Sequence, residues 1–285
     1  MKIIRSVSSL LPFFAPLAGA ATVSAPSTSW TALVGNYDYL ADQQTGVASG
    51  DIVGEGTNYG LLVTFNDNGS TSNTDGTMGF RLRLDAAGGP TNKPAFDRAA
   101  WIGIDADING SVDVFLGLNF SGSATDLGIY SPGIGANTSP NTTSISTTAY
   151  APYTISSSNY DYRLVNFSTD GGTTNDVTTT SAGDPDYYVS FMVPFADVAA
   201  FLATKSIIIT DQTPLRYVSA TSTQANSLNQ DLGGVNGGVN STTTWTDLGG
   251  FTQVVNAGGT PVPEPGTSLL VLTALAAGVM RRRRA

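Results

Sequence analysis

The chain contains no cysteine and no histidine in its 285 residues, and its only glutamates are Glu55 and Glu264. Without cysteine there is no disulfide and no thiol nucleophile. Without histidine there is no Ser-His-Asp triad, no imidazole ligand for zinc and no histidine general base. A catalytic carboxylate pair would have to be built from aspartates. The sequence therefore excludes the commonest hydrolase sites and favours a protein that is not an enzyme.

Basic residues are also scarce away from the two ends. The stretch from residue 21 to residue 280 contains seven basic residues and all 22 acidic ones, so its charge is about −15 against −9 for the whole chain. The seven are Arg81, Arg83, Lys93, Arg98, Arg163, Lys205 and Arg216. Such an acidic stretch argues against nucleic acid and anionic lipid as partners. Divalent cations or neutral sugars suit it better.

The first 20 residues have the pattern of a signal peptide. Lys2 and Arg5 precede an apolar run at 7–17, and Ala18-Gly19-Ala20 is a small-x-small cleavage site. This order predicts removal of residues 1–20 by signal peptidase and export of the remainder.

A proline-rich break and an apolar segment lie near the C-terminus. The break contains Val262, Pro263, Glu264 and Pro265, and its X-Pro bonds disfavour helix. Residues 267–280 are apolar on every helical face, which is typical of a membrane or core helix. At 1.5 Å per residue this helix is about 21 Å long, shorter than a bilayer core of about 30 Å. We expect a short transmembrane helix that holds the chain only transiently in the inner membrane.

Four arginines follow that helix. They are Arg281, Arg282, Arg283 and Arg284. A basic block of this kind is expected to stay cytoplasmic. Together, residues 261–285 resemble the PEP-CTERM sorting signal of Gram-negative bacteria, which consists of the same three parts in the same order. The resemblance implies recognition by an exosortase, a membrane protease-transpeptidase that cuts near the Pro-Glu-Pro. It also implies release or re-attachment at the cell surface, often alongside exopolysaccharide production.

The body at 21–250 is rich in Gly, Ser, Thr and Asn between short β-branched and aromatic runs, which predicts an all-β domain. A helix is predicted at 194–205, because Pro opens it and Lys ends it. A last strand at 251–255 and a linker to residue 260 should follow, while 131–159 should form a long surface loop or an insertion. The predicted strands are 51–54, 60–65, 78–84, 100–104, 111–120, 127–130, 160–167, 187–193, 206–210 and 215–220.

These elements predict a β-sandwich of jelly-roll or immunoglobulin-like type, with one short helix and the C-terminal hydrophobic helix. A β-helix is the rival fold, but there is no fixed repeat to support it. Alternation along residues 80–84 places Phe80, Leu82 and Leu84 inward and Arg81 and Arg83 outward. The segments 186–201 and 214–226 are similar to the second half of exported sandwich domains of the carbohydrate-binding or DOMON-like kind.

One segment has the spacing of a calcium loop. Asp105, Asp107, Asn109 and Asp113 occupy positions 1, 3, 5 and 9, and Gly110 occupies position 6. Position 12 lacks the glutamate of an EF-hand, and strands flank the segment where helices should. The alternative is a plain β-hairpin with Asn109-Gly110 as a type I′ turn, and in either case the role is structural. Residues 66–69, Asn-Asp-Asn-Gly, present the same choice and favour a turn.

The sequence leaves three functions open. The first is an exported surface or extracellular-matrix protein with a structural or adhesive, non-catalytic body. The second is a carbohydrate-binding module for exopolysaccharide, and the third is an Asp-dependent, glycan-active enzyme. The second would use an aromatic platform for stacking sugars. Its candidate residues are Tyr37, Tyr39, Tyr150, Tyr153, Tyr160 and Tyr162.

Overall fold

The computed structural model describes residues 21–33, 38, 42–89, 95–177 and 184–262. The predicted signal peptide, the sorting motif from Pro263 onward, the apolar helix and the four arginines lie outside these ranges. Within them, no helix combines the length and the apolar character that crossing a membrane requires.

The described ranges contain eleven strands and three short α-helices. The strands are β1 (Thr31–Ala32), β2 (Leu61–Asn66), β3 (Thr77–Leu84), β4 (Ala99–Asp105), β5 (Val114–Asn119), β6 (Asp126–Pro132), β7 (Ile145–Tyr153), β8 (Tyr160–Leu164), β9 (Tyr187–Pro194), β10 (Arg216–Ser222) and β11 (Asp231–Leu232). The helices are α1 (Phe167–Asp170), α2 (Phe195–Ala203) and α3 (Trp245–Leu248).

All strand pairing is antiparallel and produces two sheets. The first has the order β1-β2-β3-β9-β8, and the second has the order β11-β10-β4-β5-β6-β7. The chain passes from the first sheet to the second after β3, returns after β7 and crosses again after β9. Consequently β9 lies beside β3 and β10 lies beside β4, although each pair is far apart in sequence.

The two sheets pack face to face around one apolar core. Phe80 and Leu82 of β3, Ile102 of β4 and Leu116 of β5 are fully buried in it, and the rings of Phe80 and Tyr217 meet edge to face at 5.3 Å across the sheets. Each such side chain stabilises the fold by about 1.5–3 kcal/mol. The predicted sandwich arrangement and the inward face of β3 are confirmed.

The prediction that Arg81 and Arg83 point outward from β3 is confirmed, but the outer face is not open to solvent. Arg81 and Arg83 do lie on the outer face, but both are 0% exposed. The N-terminal segment covers Arg81, which donates hydrogen bonds to the Ser27 hydroxyl and the Val23 carbonyl at 2.8 Å and lies 4.3 Å from the centre of the Trp30 ring. Alternation assigns a side chain to a face of a sheet, but it does not reveal whether another segment covers that face.

The predicted loop at 131–159 contains a strand that sequence analysis missed. β7 forms the edge of the second sheet, where residues such as Thr147 and Thr148 are exposed. The Ser- and Thr-rich composition of β7 suits a strand with one face exposed to solvent, but the same composition is typical of loops.

Three predicted strands are not strands. Residues 51–54 make only single bridges, and Ser206 has a φ of 66° while Ile208 is 77% exposed, so 206–210 runs irregularly. Residues 251–255 are also irregular apart from bridges at Val255. The predicted linker beyond them belongs to the packed body, because Val255 and Ala257 are fully buried.

The predicted helix at 194–205 is confirmed as α2, with Pro194 directly before its first residue. Phe195, Val198, Phe201 and Leu202 are its buried residues. These four residues cover one end of the core, and the helix connects β9 to the segment that leads to β10.

Candidate cation sites

Three groups of aspartates bring carboxylate oxygens within 4.8 Å of one another in the described part of the chain. We call Asp105, Asp107 and Asp113 the loop triad. Asp85, Asp176 and Asp186 form the strand-end triad, and the third triad consists of Asp38, Asp42 and Asp231. Carboxylate oxygens are the ligands that calcium and magnesium prefer, so each triad is a candidate cation site.

The loop triad lies on the connection between β4 and β5. Ile104 pairs with Val114, so residues 106–113 form the loop of a hairpin. Positive φ angles occur at Ile108 (60°) and Gly110 (89°) but not at Asn109. A type I′ turn needs positive φ at two consecutive central residues, so the predicted Asn109-Gly110 turn is wrong and the hairpin has a wide loop.

Asp105 is the centre of this loop. Its Oδ1 accepts a hydrogen bond from Asn109 N at 3.0 Å, and its Oδ2 accepts one from Gly110 N at 2.9 Å. Oδ2 also forms a 2.5 Å ion pair with Arg216. Two backbone amides therefore donate to the buried Asp105 carboxylate, and Arg216 offsets the negative charge of that carboxylate.

Two other predicted ligands, Asp107 and Asn109, differ in their hydrogen-bond partners. Asp107 Oδ2 accepts a hydrogen bond from Asn109 Nδ2 at 2.9 Å, and Asn109 Oδ1 accepts one from Ser111 N at 2.8 Å. The structure thus brings the three predicted aspartates together, whereas the Asn109 amide oxygen is engaged by the backbone.

Asp113 carries the clearest electrostatic signal in the loop. Burial raises its pKa to about 6, and the negative charges of Asp107 and Asp105 act in the same direction. Its Oδ2 accepts a hydrogen bond from Ala106 N at 2.8 Å. A cation among the three carboxylates would favour the ionised form of Asp113.

The second Asn-Gly segment is a turn, as the sequence favoured. Asn68 and Gly69 have φ angles of 56° and 70°, and Ser70 N donates to the Asp67 carbonyl at 2.9 Å. These are the features of a type I′ turn.

The strand-end triad was not found from the sequence, because its members are far apart in the chain. Asp85 follows β3 directly, Asp186 directly precedes β9, and Asp176 comes from the loop between α1 and β9. Arg83 Nε forms a 2.5 Å ion pair with Asp186 Oδ2, and both side chains are 0% exposed. Even so, burial raises the pKa of Asp186 to about 7, because the loss of hydration outweighs the attraction of Arg83.

In the third triad, Asp231 and Asp42 accept hydrogen bonds from backbone amides. Asp231 accepts hydrogen bonds from Ile52 N at 2.6 Å and Leu232 N at 2.8 Å, and Asp42 Oδ2 accepts one from Gly237 N at 2.5 Å. Burial raises the pKa of Asp231 well above its usual value, and Asp42 and Asp51 add to this effect. These acids join the 42–52 segment to the Gly-rich segment after β10.

The four described tyrosines of the predicted sugar platform, Tyr153 among them, pack against neighbouring side chains. Tyr37 and Tyr39 lie outside the described residues. Tyr150 packs edge to face on Phe201 at 5.0 Å, while Tyr160 and Tyr162 are partly buried against the core.

A different aromatic pocket lies on the outer face of the first sheet. It has a volume of about 190 Å³, and Trp30, Tyr59 and Tyr188 line it together with Asp170 and Thr57. A second cavity of about 290 Å³ between β6 and β7 contains Asp126. Asp170 is the aspartate that lines the first cavity, and Asp126 is the one that lines the second.

Comparison of the chain with protein-family models, with characterised proteins and with solved structures gives no match.

Proposed function

We propose that this is an exported surface or extracellular-matrix protein that an exosortase sorts and whose body is structural or adhesive. The observation that carries the proposal is the order of Pro-rich motif, apolar segment and arginine block at 261–285. Signal peptidase would remove residues 1–20, and the apolar helix would hold the chain in the inner membrane until the exosortase cuts. The body would be a non-catalytic sandwich of jelly-roll or immunoglobulin-like type.

The end of the packed body supports this division of the chain. Val262 N donates to the Val254 carbonyl at 3.1 Å, and Pro261 forms a bridge with Val255. Val262 is also the first residue of the proposed sorting motif. A cut near Pro263-Glu264-Pro265 would therefore leave every hydrogen bond described above intact.

Intact mass of the surface-located protein tests the sorting route. We expect the native protein to lack Arg281 to Arg284, and a variant with Pro263, Glu264 and Pro265 all changed to alanine to retain them. Pro214→Ala is the control, because it changes a proline far from the motif. Arginines present on most of the native surface protein would contradict the proposal.

Calcium at the loop triad is part of the proposed structural role. Asp105, Asp107 and Asp113 would supply carboxylate oxygens to the ion, and Asn109 would join them by releasing Ser111 N. The raised pKa of Asp113 and the convergence of the three carboxylates support this assignment. The ion would fix the hairpin between two central strands of the second sheet.

Carbohydrate binding is a second candidate function, which the aromatic pocket favours. Sugars bind to aromatic faces, and a few placed polar groups orient their hydroxyls. Trp30, Tyr59 and Tyr188 supply the rings, while Thr57 supplies a hydroxyl. At about 190 Å³ the pocket suits one sugar ring of a neutral exopolysaccharide.

Pull-down of the native protein with the cell's own exopolysaccharide tests this second function. Tyr59→Ala should abolish retention, because Tyr59 is the least buried of the three rings. Tyr150→Ala is the matched control, since Tyr150 is 49% exposed and lies outside the pocket. Equal retention of both variants would rule out the pocket as the sugar site.

A further inference from the structure

We propose that the end of the sandwich that carries the exposed side chains of Ile108, Ile134 and Ile208 lies on the lipid surface of the membrane that holds the chain. We call this end, with the three loops that contain these residues, the isoleucine end. The inference rests on the transient membrane anchor of the proposed function, and it adds which face of the body meets the bilayer.

Strand register brings two of the three loops to the same end of the second sheet. Ile104 of β4 pairs with Val114 of β5. The next residue, Phe115, pairs with Tyr130 near the end of β6. The β4–β5 loop and the β6–β7 loop therefore leave the sheet side by side.

Hydrogen bonds connect the three loops to one another. Ser111 Oγ donates to the Ala136 carbonyl at 2.9 Å, which joins the β4–β5 loop to the β6–β7 loop. Lys205 Nζ donates to the Asp113 carbonyl at 2.7 Å. This second bond joins the segment after α2, which contains Ile208, to the β4–β5 loop. The three isoleucines thus belong to one connected surface of the body.

The three isoleucines are exposed to solvent on this surface. Ile134 is fully exposed, Ile208 is 77% exposed and Ile108 is 36% exposed. Ile108 also has a φ of 60°, a conformation that β-branched residues rarely adopt. Apolar side chains grouped on adjacent loops mark a contact with a protein or with a membrane.

The path of the chain indicates that the contact is with a membrane. β10 begins opposite the last residue of β4, so it begins at the isoleucine end. Leu215 directly precedes β10 and forms a bridge with Val255, which in turn forms a bridge with Pro261. Residues 263–266 then lead to the apolar segment 267–280. The five steps from residue 262 to residue 267 span at most about 18 Å, so a bilayer that holds the apolar segment must lie close to this end.

The charge of the body favours a zwitterionic lipid surface. The body is strongly acidic, and the loop triad lies at this end. A second copy of the chain docked here would bring its own loop triad toward this one, and like charges repel. Anionic lipid is disfavoured for the same reason. Isoleucine side chains gain free energy by leaving water for the lipid interface, and this gain requires no charge on the lipid.

Fluorescence of the full chain in vesicles tests the contact. The chain has no cysteine, so Ile134→Cys provides a single site for a fluorophore. The labelled chain is reconstituted into vesicles of phosphatidylcholine and phosphatidylethanolamine that contain a nitroxide-labelled lipid as quencher. We expect the label to lose most of its fluorescence, and labels at Ile108→Cys and Ile208→Cys to behave in the same way.

Ser123→Cys is the matched control, because Ser123 is an exposed residue of the β5–β6 loop at the opposite end of the sheet. The length of β5 places it about 20 Å farther from the bilayer, so its label should keep its fluorescence. Circular dichroism confirms that each variant is folded.

Flotation of the vesicles separates the two ways in which the inference can fail. A chain that does not float with the vesicles contradicts the membrane anchor, and the inference falls with it. A chain that floats but shows equal fluorescence at Ile134→Cys and Ser123→Cys overturns the inference and leaves the anchor intact. An Ile134→Cys label that is shielded from aqueous iodide but not quenched by the lipid would show that a second copy covers this end, which also overturns the inference.

Discussion

The loop triad and the strand-end triad contain the same side chains but differ in how the fold assembles them. The loop triad spans nine consecutive residues, and its backbone amides donate to Asp105 and Asp107. The strand-end triad is assembled from two strand ends and a loop, and it leaves a buried oxygen of Asp186 without a partner. Carboxylates within one loop can accept hydrogen bonds from the backbone amides of that loop. Carboxylates that strand pairing brings together have fewer such amides nearby. We therefore expect the strand-end triad to depend on the buried ion pair between Arg83 and Asp186.

The largest expected effect comes from Asp186→Ala. The substitution leaves the fully buried Arg83 guanidinium without its carboxylate. Removing one partner of a buried ion pair costs about 3–5 kcal/mol, and we expect the free energy of unfolding to fall by that amount in a denaturant titration. Asp184→Ala is the control and should change it by less than about 0.5 kcal/mol. If Asp186→Ala lowers the free energy of unfolding by less than about 1 kcal/mol, the buried ion pair does not distinguish the strand-end triad from the loop triad.

Calcium itself should give the next largest effect. At a concentration about 100 times the Kd of the loop triad, binding adds about 2.7 kcal/mol to the free energy of unfolding. Asp107→Asn should lose this increment, while Asp176→Asn should keep it because that residue belongs to the strand-end triad. Thermal unfolding with and without calcium measures the difference. If the two variants respond in the opposite way, the ion-dependent site is the strand-end triad.

The pH dependence of the loop triad should be smaller. The pKa of Asp113 is about 6 in the folded protein and about 3.9 in an unfolded chain. The folded state thus binds more protons between these values, and the contribution of this carboxyl falls as the pH rises from about 4 to about 6. After allowance for solvent screening we expect about 1 kcal/mol.

Denaturant titrations of native protein and Asp113→Asn across this pH range, both without calcium, isolate that contribution. The difference between the two proteins should change with pH in the direction just given. Saturating calcium should reduce the change, since it lowers the pKa of Asp113. A pH-independent difference would show that Asp113 has an ordinary pKa.

The smallest effect is expected at Asp67→Ala, in the Asn-Asp-Asn-Gly turn. Asp67 Oδ1 accepts one exposed hydrogen bond, from Gly69 N at 2.9 Å, and Asp67 belongs to none of the three triads. We expect a change of less than about 0.5 kcal/mol, with the same calcium response as the native chain. If Asp67→Ala alters the calcium response in thermal unfolding, the Asn-Asp-Asn-Gly turn binds calcium even though its carboxylate does not converge with others.

Local pattern accounts for what could be predicted from the sequence. The alternation of Phe80, Leu82 and Leu84 predicts the inner face of β3, and a run of apolar residues after Pro194 predicts α2. The spacing of Asp105, Asp107 and Asp113 identifies the loop triad because all three belong to one loop.

Tertiary packing accounts for what the sequence missed. β7 is an edge strand, so its Thr-rich residues carry little apolar alternation. Arg81 is buried because the N-terminal segment covers it, which no local pattern encodes. Asp85 and Asp186 become neighbours only through the pairing of β3 with β9.

Diffraction from crystals of the protein grown with calcium tests the central claim most directly. We predict an anomalous calcium peak about 2.3–2.6 Å from oxygens of Asp105, Asp107 and Asp113. A well-ordered loop with no anomalous signal between these three carboxylates would contradict it.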